Sequence, residues 1–204
     1  MDIIKLGSRS YVSNTYVLIS GTDAAVIDPS ADISEIMNAV GEAKLRFILL
    51  THGHFDHILK LDSLKSASHA EVCIHHADAK MLGDPSLNAS EFFGIEFASL
   101  GADRLLDDGE EILLGRETIK VISTPGHTPG SVCYECGNDL ICGDTLFTSG
   151  YGRYDLPGGD ARILFTSLSM LAARQDNPTI HPGHGASCDL ASADIISAIR
   201  NNNI

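Results

Sequence analysis

Short apolar runs, each ended by turn-forming residues, divide the first half of the chain. They are rich in β-branched and aliphatic residues and therefore predict strands. The runs are NTYVLIS (14–20), AAVID (24–28), RFILLT (46–51) and AEVCIH (70–75). RFILLT is apolar at almost every position, which is typical of a strand buried on both faces.

Helix-like segments alternate with these strands. Apolar residues recur at helical spacing over 33–40, behind a capping-box pattern formed by Asp32 and Glu35. After the third strand, the apolar residues of 58–64 have the same spacing. We therefore expect one helix before RFILLT and another after it.

The second half returns to strand-like runs and then to helices. Its predicted strands are EEILLG (110–115), TIKVIST (118–124), SVCYEC (131–136) and DLICGD (139–144). A helix is expected from about Asp160 and a closing helix over 190–199. Between them, PTIHPGHG (178–185) predicts the last strand, which ends in a loop.

The two halves share a β-rich-then-helix order, which is consistent with two sheets packed back to back and helices outside, an α/β architecture. The chain carries no low-complexity linker, heptad array or short-period repeat, so we predict a single domain over residues 1–204. The segment 83–103 interrupts the alternation of predicted strands and helices, since it contains turn-forming residues and three phenylalanines. It is either a flap over a site or a connection that packs on the core, and we favour the connection.

Composition places the chain among ordinary globular proteins, with 204 residues, 44% hydrophobic and 20% charged. No apolar stretch approaches membrane-spanning length, and the N-terminal residues lack the basic and apolar regions of a signal peptide. We therefore expect a cytoplasmic protein without a membrane partner. The net charge of −13 opposes general affinity for nucleic acid. An anionic substrate would need local positive charge, from metal or arginine.

Five cysteines at irregular spacing do not form a disulfide framework. They are Cys73, Cys133, Cys136, Cys142 and Cys188. The pair Cys133-x-x-Cys136 lies in a strand-like run and has no second pair beside it. We therefore interpret it as structural rather than zinc-binding or redox-active.

The motif THGHFDHI (51–58) places three histidines and an aspartate directly after an apolar strand. His52 and His54 are two residues apart, so an extended backbone directs both imidazoles the same way. Asp56 and His57 follow where the chain turns toward a helix, and they are aimed toward a second point. One zinc ion takes three or four ligands. The cluster therefore predicts the larger share of a two-metal site.

Three later segments can supply the missing ligands. His127 lies in STPGHTPGS, Asp144 in LICGDTLF and His184 in IHPGHGAS. Each follows an apolar strand, so all three can converge at one sheet edge. Four histidines outside these motifs are not expected to bind metal: His69, His75, His76 and His181. Of these, His181 is the one that we expect to contact a metal ligand without binding the metal itself, because it precedes His184 by three residues.

Taken in order, THGHFDH, PGHTPGS, GDTLF and HPGHG resemble the motifs of the metallo-β-lactamase superfamily, specifically its short bacterial glyoxalase II-like hydrolases. The resemblance covers nearly the whole chain and includes GRYDLPGGD (152–160). It implies an αββα sandwich of the metallo-β-lactamase fold with a dinuclear metal site at one edge. By position it implies two ligand groups joined by a bridging aspartate: His52, His54 and His127; Asp56, His57 and His184; and the bridging Asp144.

The sequence differs in several respects from other families of this superfamily, and these differences narrow the choice of family. One class of β-lactamases has a cysteine where this chain has Asp144, and flavodiiron oxygen reductases have a glutamate where it has His54. Full-length glyoxalase II enzymes carry a C-terminal helical region that helps to bind glutathione. Because this chain stops soon after His184, we expect that surface to be missing.

The resemblance implies a metal-dependent hydrolase that cleaves a thioester such as S-lactoylglutathione. Two close metals lower the pKa of a bridging water and polarise a carbonyl, so a metal-bridging hydroxide would attack the acyl carbon and the thiolate would leave. Asp56 is the candidate catalytic residue, because it can orient the nucleophile or manage its proton. We expect two divalent metal ions. Zinc is the first choice and iron or manganese the alternatives, since imidazole and carboxylate suit all three.

Arg153 and Tyr154 are the candidate substrate-binding residues. By resemblance, a basic residue near position 153 contacts the glutathione carboxylate, and Tyr154 adds a hydrogen bond or a stacking surface. The alternative is that Arg153 pairs with Asp155 or Asp160 and fixes the loop. We expect the substrate to be a small anionic thiol conjugate.

Other functions stay open. Persulfide dioxygenases share the fold and, by resemblance, hold one iron at positions matching His52, His127 and Asp144, a two-histidine, one-carboxylate set. A lactonase would differ in substrate alone. A nuclease is disfavoured because no basic patch is visible, and a structural zinc module because such zinc sites are closed by four ligands. The sequence does not fix the metal, the thiol or the oligomeric state.

Overall fold

Two six-stranded sheets form the centre of the computed structural model, which describes residues 1–7 and 12–201. The first sheet has the order β1-β2-β3-β4-β5-β6. Its strands are β1 (Asp2–Leu6), β2 (Thr15–Ser20), β3 (Asp23–Ile27), β4 (Lys44–Leu49), β5 (Glu71–His75) and β6 (Arg104–Leu106). The second sheet has the order β12-β11-β10-β9-β8-β7. Its strands are β7 (Glu111–Leu114), β8 (Glu117–Ser123), β9 (Val132–Cys136), β10 (Asp139–Gly143), β11 (Thr179–Pro182) and β12 (Cys188–Asp189).

Helices cover the outer faces of both sheets. The α-helices of the described residues are α1 (Ile33–Val40), α2 (Leu61–Ser68), α3 (Ala161–Ala172) and α4 (Asp194–Arg200). Shorter 3₁₀ helices cover Phe55–His57, His76–Gly83, Glu91–Phe93 and Leu190–Ser192. Within the described ranges, no helix combines the length and the apolar character needed to cross a bilayer.

Alternation along the strands builds three apolar cores. In β2, Tyr16 and Leu18 face the second sheet, whereas Val17 packs toward α1 and α2. The core between the sheets joins Leu49 of the first sheet to Tyr134 of the second. A third core lies between the second sheet and the helices α3 and α4. The four layers form the αββα sandwich that the resemblance implied, and the predicted fold class is confirmed.

The strand directions bring the predicted ligand loops to one edge. β4 lies between β3 and β5 and pairs with both in parallel, as expected for the buried run RFILLT. β10 and β11 are also parallel. The backbone amide of Val132 donates to the carbonyl of Thr51 at 2.9 Å, which joins the start of β9 to the end of β4. This hydrogen bond therefore joins the two sheets beside the histidine motif.

Several boundaries differ from the sequence expectation. The side chain of Asp32 makes no capping hydrogen bond on α1, so the capping box is not formed. The second helix begins at Leu61 rather than near Ile58, because Phe55–His57 forms a 3₁₀ turn. The closing helix begins at Asp194. β11 is not the last strand, since the two-residue β12 pairs with it.

Three strands carry no sequence prediction: β1, β6 and β12. β6 and β12 contain only three and two residues, too few to show a strand period. β1 is an edge strand whose residues are all partly or fully exposed. Pairing with a neighbouring strand, rather than local pattern, defines each of them.

The segment 83–103 packs on the core and also reaches the edge that carries the histidine motif. The Ser99 amide donates to the carbonyl of Leu82 at 2.7 Å, and the Asn88 side chain donates to the carbonyl of Phe97 at 2.8 Å. The Phe97 ring packs against the core under α1 and α2. The segment is thus packed on the core, as in the interpretation that we favoured, and three of its residues, Ala89, Phe93 and Ile95, also line the pocket described below.

Candidate metal centre

The first predicted ligand group lies at the end of β4. The Nε2 atoms of His52 and His127 are 3.2 Å apart, and His54 Nδ1 is 2.9 Å from His127 Nε2. All three imidazoles are buried. Three ring nitrogens this close can share one cation, and the group satisfies the spacing that a bound metal ion requires.

The second predicted group lies beside the first. His184 Nε2 is 3.2 Å from Asp56 Oδ2, and His57 Nε2 is 3.8 Å from the same oxygen. His57 is fully buried, whereas His184 is partly exposed. These three side chains also have the spacing required to hold a metal ion.

Asp144 lies between the two groups. Its Oδ1 is 3.3 Å from His57 Nε2, and its Oδ2 is 3.8 Å from His127 Nε2 and 3.6 Å from His184 Nε2. One carboxylate therefore approaches histidines of both groups. This is the placement that a bridging ligand needs.

Among the described residues, three buried polar atoms of this cluster have no hydrogen-bond partner. One is His54 Nε2, and the other two, His57 Nε2 and Asp144 Oδ1, lie 3.3 Å apart. Leaving buried polar atoms unpaired is costly, and nearly all such atoms in folded proteins have a partner. A cation beside His57 and Asp144 would satisfy these last two atoms, and imidazole nitrogen and carboxylate oxygen are ligands of zinc, iron and manganese alike. The residues present fit a metal centre.

Burial and neighbouring charges set the protonation of the ligands. Burial, with help from the nearby histidines, lowers the pKa of His52 well below its usual value and that of His54 to about 3. Burial opposes ionisation of Asp144, but the charges of His57, His127 and His184 outweigh it and hold its pKa low. Burial opposes ionisation of His57, but the carboxylates of Asp144, Asp28 and Asp56 raise its pKa well above the usual value, so this histidine must release a proton when a metal binds. Neutral imidazoles and an ionised carboxylate are the forms that bind metal.

Asp28 supports this cluster, although no sequence motif identified it. Its carboxylate accepts hydrogen bonds from the Thr51 amide at 2.8 Å and from the Thr51 hydroxyl at 2.7 Å, and it lies 2.8 Å from His57 Nδ1. It therefore fixes the ring so that Nε2 faces Asp144. In the sequence, Asp28 is the last residue of the run AAVID. Its position directly after an apolar strand, like that of Asp144, is the signal that was available.

Asp78 is a second support that the sequence did not identify. Its buried carboxylate accepts hydrogen bonds from the Gly53 amide at 3.1 Å, the Thr128 hydroxyl at 2.6 Å and the Gly130 amide at 2.6 Å. Gly53 lies between His52 and His54, and Thr128 follows His127. Asp78 thus ties two ligand loops together. An aspartate in a short helix has no local pattern that reveals this role.

A glycine allows the close approach of the second group to Asp144. A Cβ atom at Gly183 would overlap Asp144 Oδ1 and lie 2.6 Å from His57 Cε1. Gly183, the first glycine of HPGHG, is therefore required by packing beside the ligands rather than by turn geometry.

Five of the seven predicted ligands line a pocket of about 450 Å³, and Arg153 lines it too. These five are His54, Asp56, His127, Asp144 and His184. The guanidinium of Arg153 is paired with the carboxylate of Asp155 through Nε–Oδ1 (2.7 Å) and Nη2–Oδ2 (2.8 Å). The carbonyl of Arg153 accepts a hydrogen bond from His127 Nδ1 at 2.6 Å. Tyr154 is exposed and, in the described part of the chain, is not among the residues that line this pocket. Substrate contact by either residue stays a prediction.

The other histidines lie apart from the predicted ligands. His181 contacts Asp139 and Ser187 at 2.8 and 3.0 Å, so it does not support His184 as expected. His69 ends α2 in a left-handed conformation. His75 and His76 lie near Asp107 in a separate group at the end of β5, with a spacing that is compatible with a metal ion. His76 and Asp107 are exposed, and their contact is a surface ion pair at 2.8 Å.

A family model described as "Metallo-beta-lactamase superfamily" matches residues 9–184. The probable metallo-hydrolase YqgX of Bacillus subtilis is 36% identical over 184 residues, which cover 87% of each chain. A hydroxyacylglutathione hydrolase of Anaeromyxobacter dehalogenans is 34% identical over 90% of this chain and 64% of its own. This chain therefore spans about two thirds of that enzyme.

Solved structures are similar over nearly the full length. The crystal structure of BLEG-1 B3 metallo-β-lactamase superposes with a TM-score of 0.85 and 31% identity, covering 94% of this chain and 95% of that one. The crystal structure of TTHA1623 in a di-iron-bound form superposes with a TM-score of 0.80 and 32% identity, covering 94% and 96%. The second protein binds two iron ions in the same fold.

Proposed function

Since this chain belongs to the metallo-β-lactamase superfamily and is a metal-dependent hydrolase, we propose that its substrates are thioesters and that it uses two divalent metal ions. The observation that carries the proposal is the position of Asp144, with one carboxylate oxygen toward His57 and the other toward His127 and His184. Similarity to a hydroxyacylglutathione hydrolase supports the thioester as the bond that is cleaved.

The arrangement of the ligands supports two ions. Among the described residues of this cluster, three groups of three side chains have the spacing of a metal site; two of these groups share no residue, and Asp144 can complete both. A structural zinc is closed by four ligands, all from the protein, whereas a catalytic metal keeps a position open. Because the predicted ligands line a pocket, substrate and water have access to them. Zinc is the ion we expect, with iron or manganese as alternatives.

Water is the nucleophile in this proposal. Of the described residues lining the pocket, none is a serine, threonine, cysteine, lysine or tyrosine, so no side chain is placed there to form an acyl-enzyme. When bound, the two ions would acidify a water molecule and polarise the substrate carbonyl.

Asp56 is the residue that we assign to proton handling. Its carboxylate lines the pocket, and its Oδ2 lies 3.2 Å from His184 Nε2. Burial opposes its ionisation, but the charges of His57 and His184 hold its pKa below the usual value. The ionised carboxylate can accept the proton of the attacking water and return it to the leaving thiolate.

The test is thioester cleavage by protein of measured metal content. S-lactoylglutathione and simple acyl thioesters are the substrates, and a β-lactam and a lactone are included because relatives in this superfamily differ in the bond they cleave. Metal-dependent release of thiol is the expected result. A sample that holds two metals per chain and releases thiol from none of the thioesters would overturn the proposal.

A pair of variants tests the role of Asp144. Asp144→Ala should lose both bound metal and activity, because it removes the carboxylate between the groups. Asp139 lies at the other end of β10 and contacts His181 instead. The control variant Asp139→Ala should therefore keep both its bound metal and its activity. A fully active Asp144→Ala protein with its full metal content would contradict the assignment.

A further inference from the structure

The pocket beside the predicted ligands has a continuous apolar side. Apart from those ligands and Arg153, every residue that lines it is apolar, and we call this set the apolar wall: Phe55, Ala89, Phe93, Ile95 and Leu156. Apart from the predicted histidine ligands, the described lining residues include no neutral side chain that can form a hydrogen bond. A substrate group that rests there meets hydrocarbon on that side.

Two residues of the apolar wall are largely exposed, whereas Ala89 and Leu156 are buried. Phe93 is 52% exposed and Ile95 is 45% exposed, and the neighbouring Phe92 is 65% exposed. The ring of Phe93 lies 5.6 Å from that of Phe55. Exposed apolar side chains that cluster in this way commonly mark binding surfaces, because covering them with an apolar ligand is favourable.

Backbone hydrogen bonds fix the apolar wall to the histidine motif. The amide of Phe55, between His54 and Asp56, donates to the carbonyl of the buried Asn88 at 3.0 Å. Farther along the segment, the Leu100 amide donates to Asp62 Oδ1 of α2 at 2.9 Å. The position of the wall relative to the predicted ligands is therefore set by the fold.

The turn that presents the wall has a defined geometry. The 3₁₀ helix Glu91–Phe93 ends at Gly94, whose φ of 71° is the left-handed conformation that glycine accepts readily. The Ile95 amide then donates to the carbonyl of Ser90 at 2.9 Å. This reversal places Phe93 and Ile95 on the same pocket.

The positive charge at this pocket is already committed. Among the described residues that line the pocket, Arg153 is the one lysine or arginine, and two of the five N–H groups of its guanidinium, on Nε and Nη2, donate to the carboxylate of Asp155. Its Cζ also lies 5.6 Å from the ring centroid of Phe92, which extends the apolar surface. Because Asp155 balances its charge, Arg153 attracts a ligand with several carboxylates less strongly than an unpaired arginine would.

We propose that the part of the substrate that does not react is apolar: the preferred thioester carries an aliphatic chain or an aromatic ring that packs on the apolar wall. The inference rests on thioester hydrolysis as the proposed function and narrows it. The apolar group can belong to the acyl part or to the thiol part, and the substrates below separate the two.

A substrate series tests the preference. The value of kcat/KM for the hexanoyl thioester of N-acetylcysteamine should exceed that for the acetyl thioester and for S-lactoylglutathione by at least about tenfold. If the lactoyl thioester of hexanethiol shows the gain and the hexanoyl thioester does not, the wall binds the thiol part. Equal values across the series, or a preference for S-lactoylglutathione, would overturn the inference while thioester hydrolysis itself stands.

Variants locate the preference on the wall. Phe93→Ser and Ile95→Ser should each reduce the hexanoyl-to-acetyl ratio of kcat/KM several-fold, because each removes apolar contact area. Leu113→Ser is the matched control, since Leu113 is also an exposed apolar residue but lies on β7 and does not line the pocket. A ratio that stays the same in both wall variants would assign the preference elsewhere and overturn the inference.

Binding without turnover separates this inference from the proposed reaction. S-hexylglutathione and S-methylglutathione are thioethers that cannot be hydrolysed, and calorimetry on the metal-loaded protein gives their Kd values. Tighter binding of the hexyl compound by about tenfold, lost in Phe93→Ser, supports the apolar wall even if no thioester is cleaved. In that case the proposal of thioester hydrolysis fails, whereas the proposed apolar binding site stands. Equal Kd values in a protein that does cleave thioesters would overturn the inference about the apolar wall and leave thioester hydrolysis standing.

Discussion

The carboxylate of Asp28 lies 2.8 Å from Nδ1 of His57, and both side chains are buried. The other ring nitrogen of His57 faces Asp144 at 3.3 Å. A single carboxylate at the end of β3 therefore determines the direction in which a predicted ligand at the end of β4 presents its free nitrogen.

Replacing Asp28 with asparagine should weaken metal binding by about 10- to 100-fold, the usual cost of losing a partner that orients a ligand. The amide keeps the shape of the side chain but removes the charge that the His57 N–H contacts. Competition with a chromophoric chelator measures the affinity. Asp23→Asn, at the opposite end of β3, is the control, and an equal loss in both variants would indicate a general effect on the strand.

Replacing Asp78 with alanine should lower the free energy of unfolding by about 1–3 kcal/mol, because the Gly53 and Gly130 amides and the Thr128 hydroxyl lose a buried acceptor. It should also reduce metal content, since the loops that carry Gly53 and Thr128 are no longer joined by hydrogen bonds to one carboxylate. Urea denaturation of metal-free protein isolates the first effect. Lys80→Ala, exposed on the same 3₁₀ helix, should change neither quantity, and a stable, fully loaded Asp78→Ala protein would refute the assignment.

Adding one methyl group at Gly183 should disrupt the centre. In Gly183→Ala the new Cβ would displace Asp144 or His57, so we expect at least a tenfold loss of kcat/KM together with lower metal content. Metal analysis and thioester kinetics on the same sample measure both. Gly101→Ala, where a Cβ meets open space, is the matched substitution, and a wild-type centre in Gly183→Ala would show that the loop moves without cost.

Removing the metals with a chelator should lower the thermal midpoint of unfolding. Among the described residues, His57 Nε2 and Asp144 Oδ1 have no hydrogen-bond partner, and an ion that binds only the folded state stabilises it by an amount that grows with the logarithm of the ion concentration relative to Kd. Calorimetry with and without chelator gives the shift, and re-addition of zinc should reverse it. Asp144→Ala should show a much smaller shift than the wild type; an equal shift would place the ion elsewhere.

Replacing Asp155 with asparagine should free the guanidinium of Arg153. We then expect the KM for S-lactoylglutathione, which carries carboxylates, to fall several-fold, because an unpaired cation attracts anions more strongly. The KM for the neutral acetyl thioester of N-acetylcysteamine serves as the internal control and should not fall. A parallel change for both substrates would mean that the variant altered the pocket rather than its charge.

The predicted ligands could be identified from sequence because their residue types, and the loops framed by proline and glycine around His127 and His184, are local features. Asp28 and Asp78 could not be identified so easily. Each is one of 27 acidic residues, and only the fold shows which carboxylates are buried against ligand loops. The same limit applies to β6, which is defined by pairing with β5 rather than by its own three residues.

The predicted substrate residues show where the resemblance reached its limit. It implied that Arg153 contacts a carboxylate, and the structure shows the alternative ion pair with Asp155. For the segment 83–103, the sequence left a flap and a connection open. Phe97 packs on the core while Phe93 and Ile95 line the pocket, and the direction of each ring follows from long-range packing that local patterns do not encode.

The seven predicted ligands are divided between the sheets: four follow β4 of the first sheet, and His127, Asp144 and His184 follow strands of the second. The first of them is residue 52 and the last is residue 184, so the centre closes a loop of more than a hundred residues in the chain. Contacts of such separation form late in folding. During synthesis on the ribosome, the histidine motif emerges long before its partners, and stable capture of metal must wait for the second half of the chain. Metal loading would then report that both halves have docked, and a truncated or half-folded chain would stay empty.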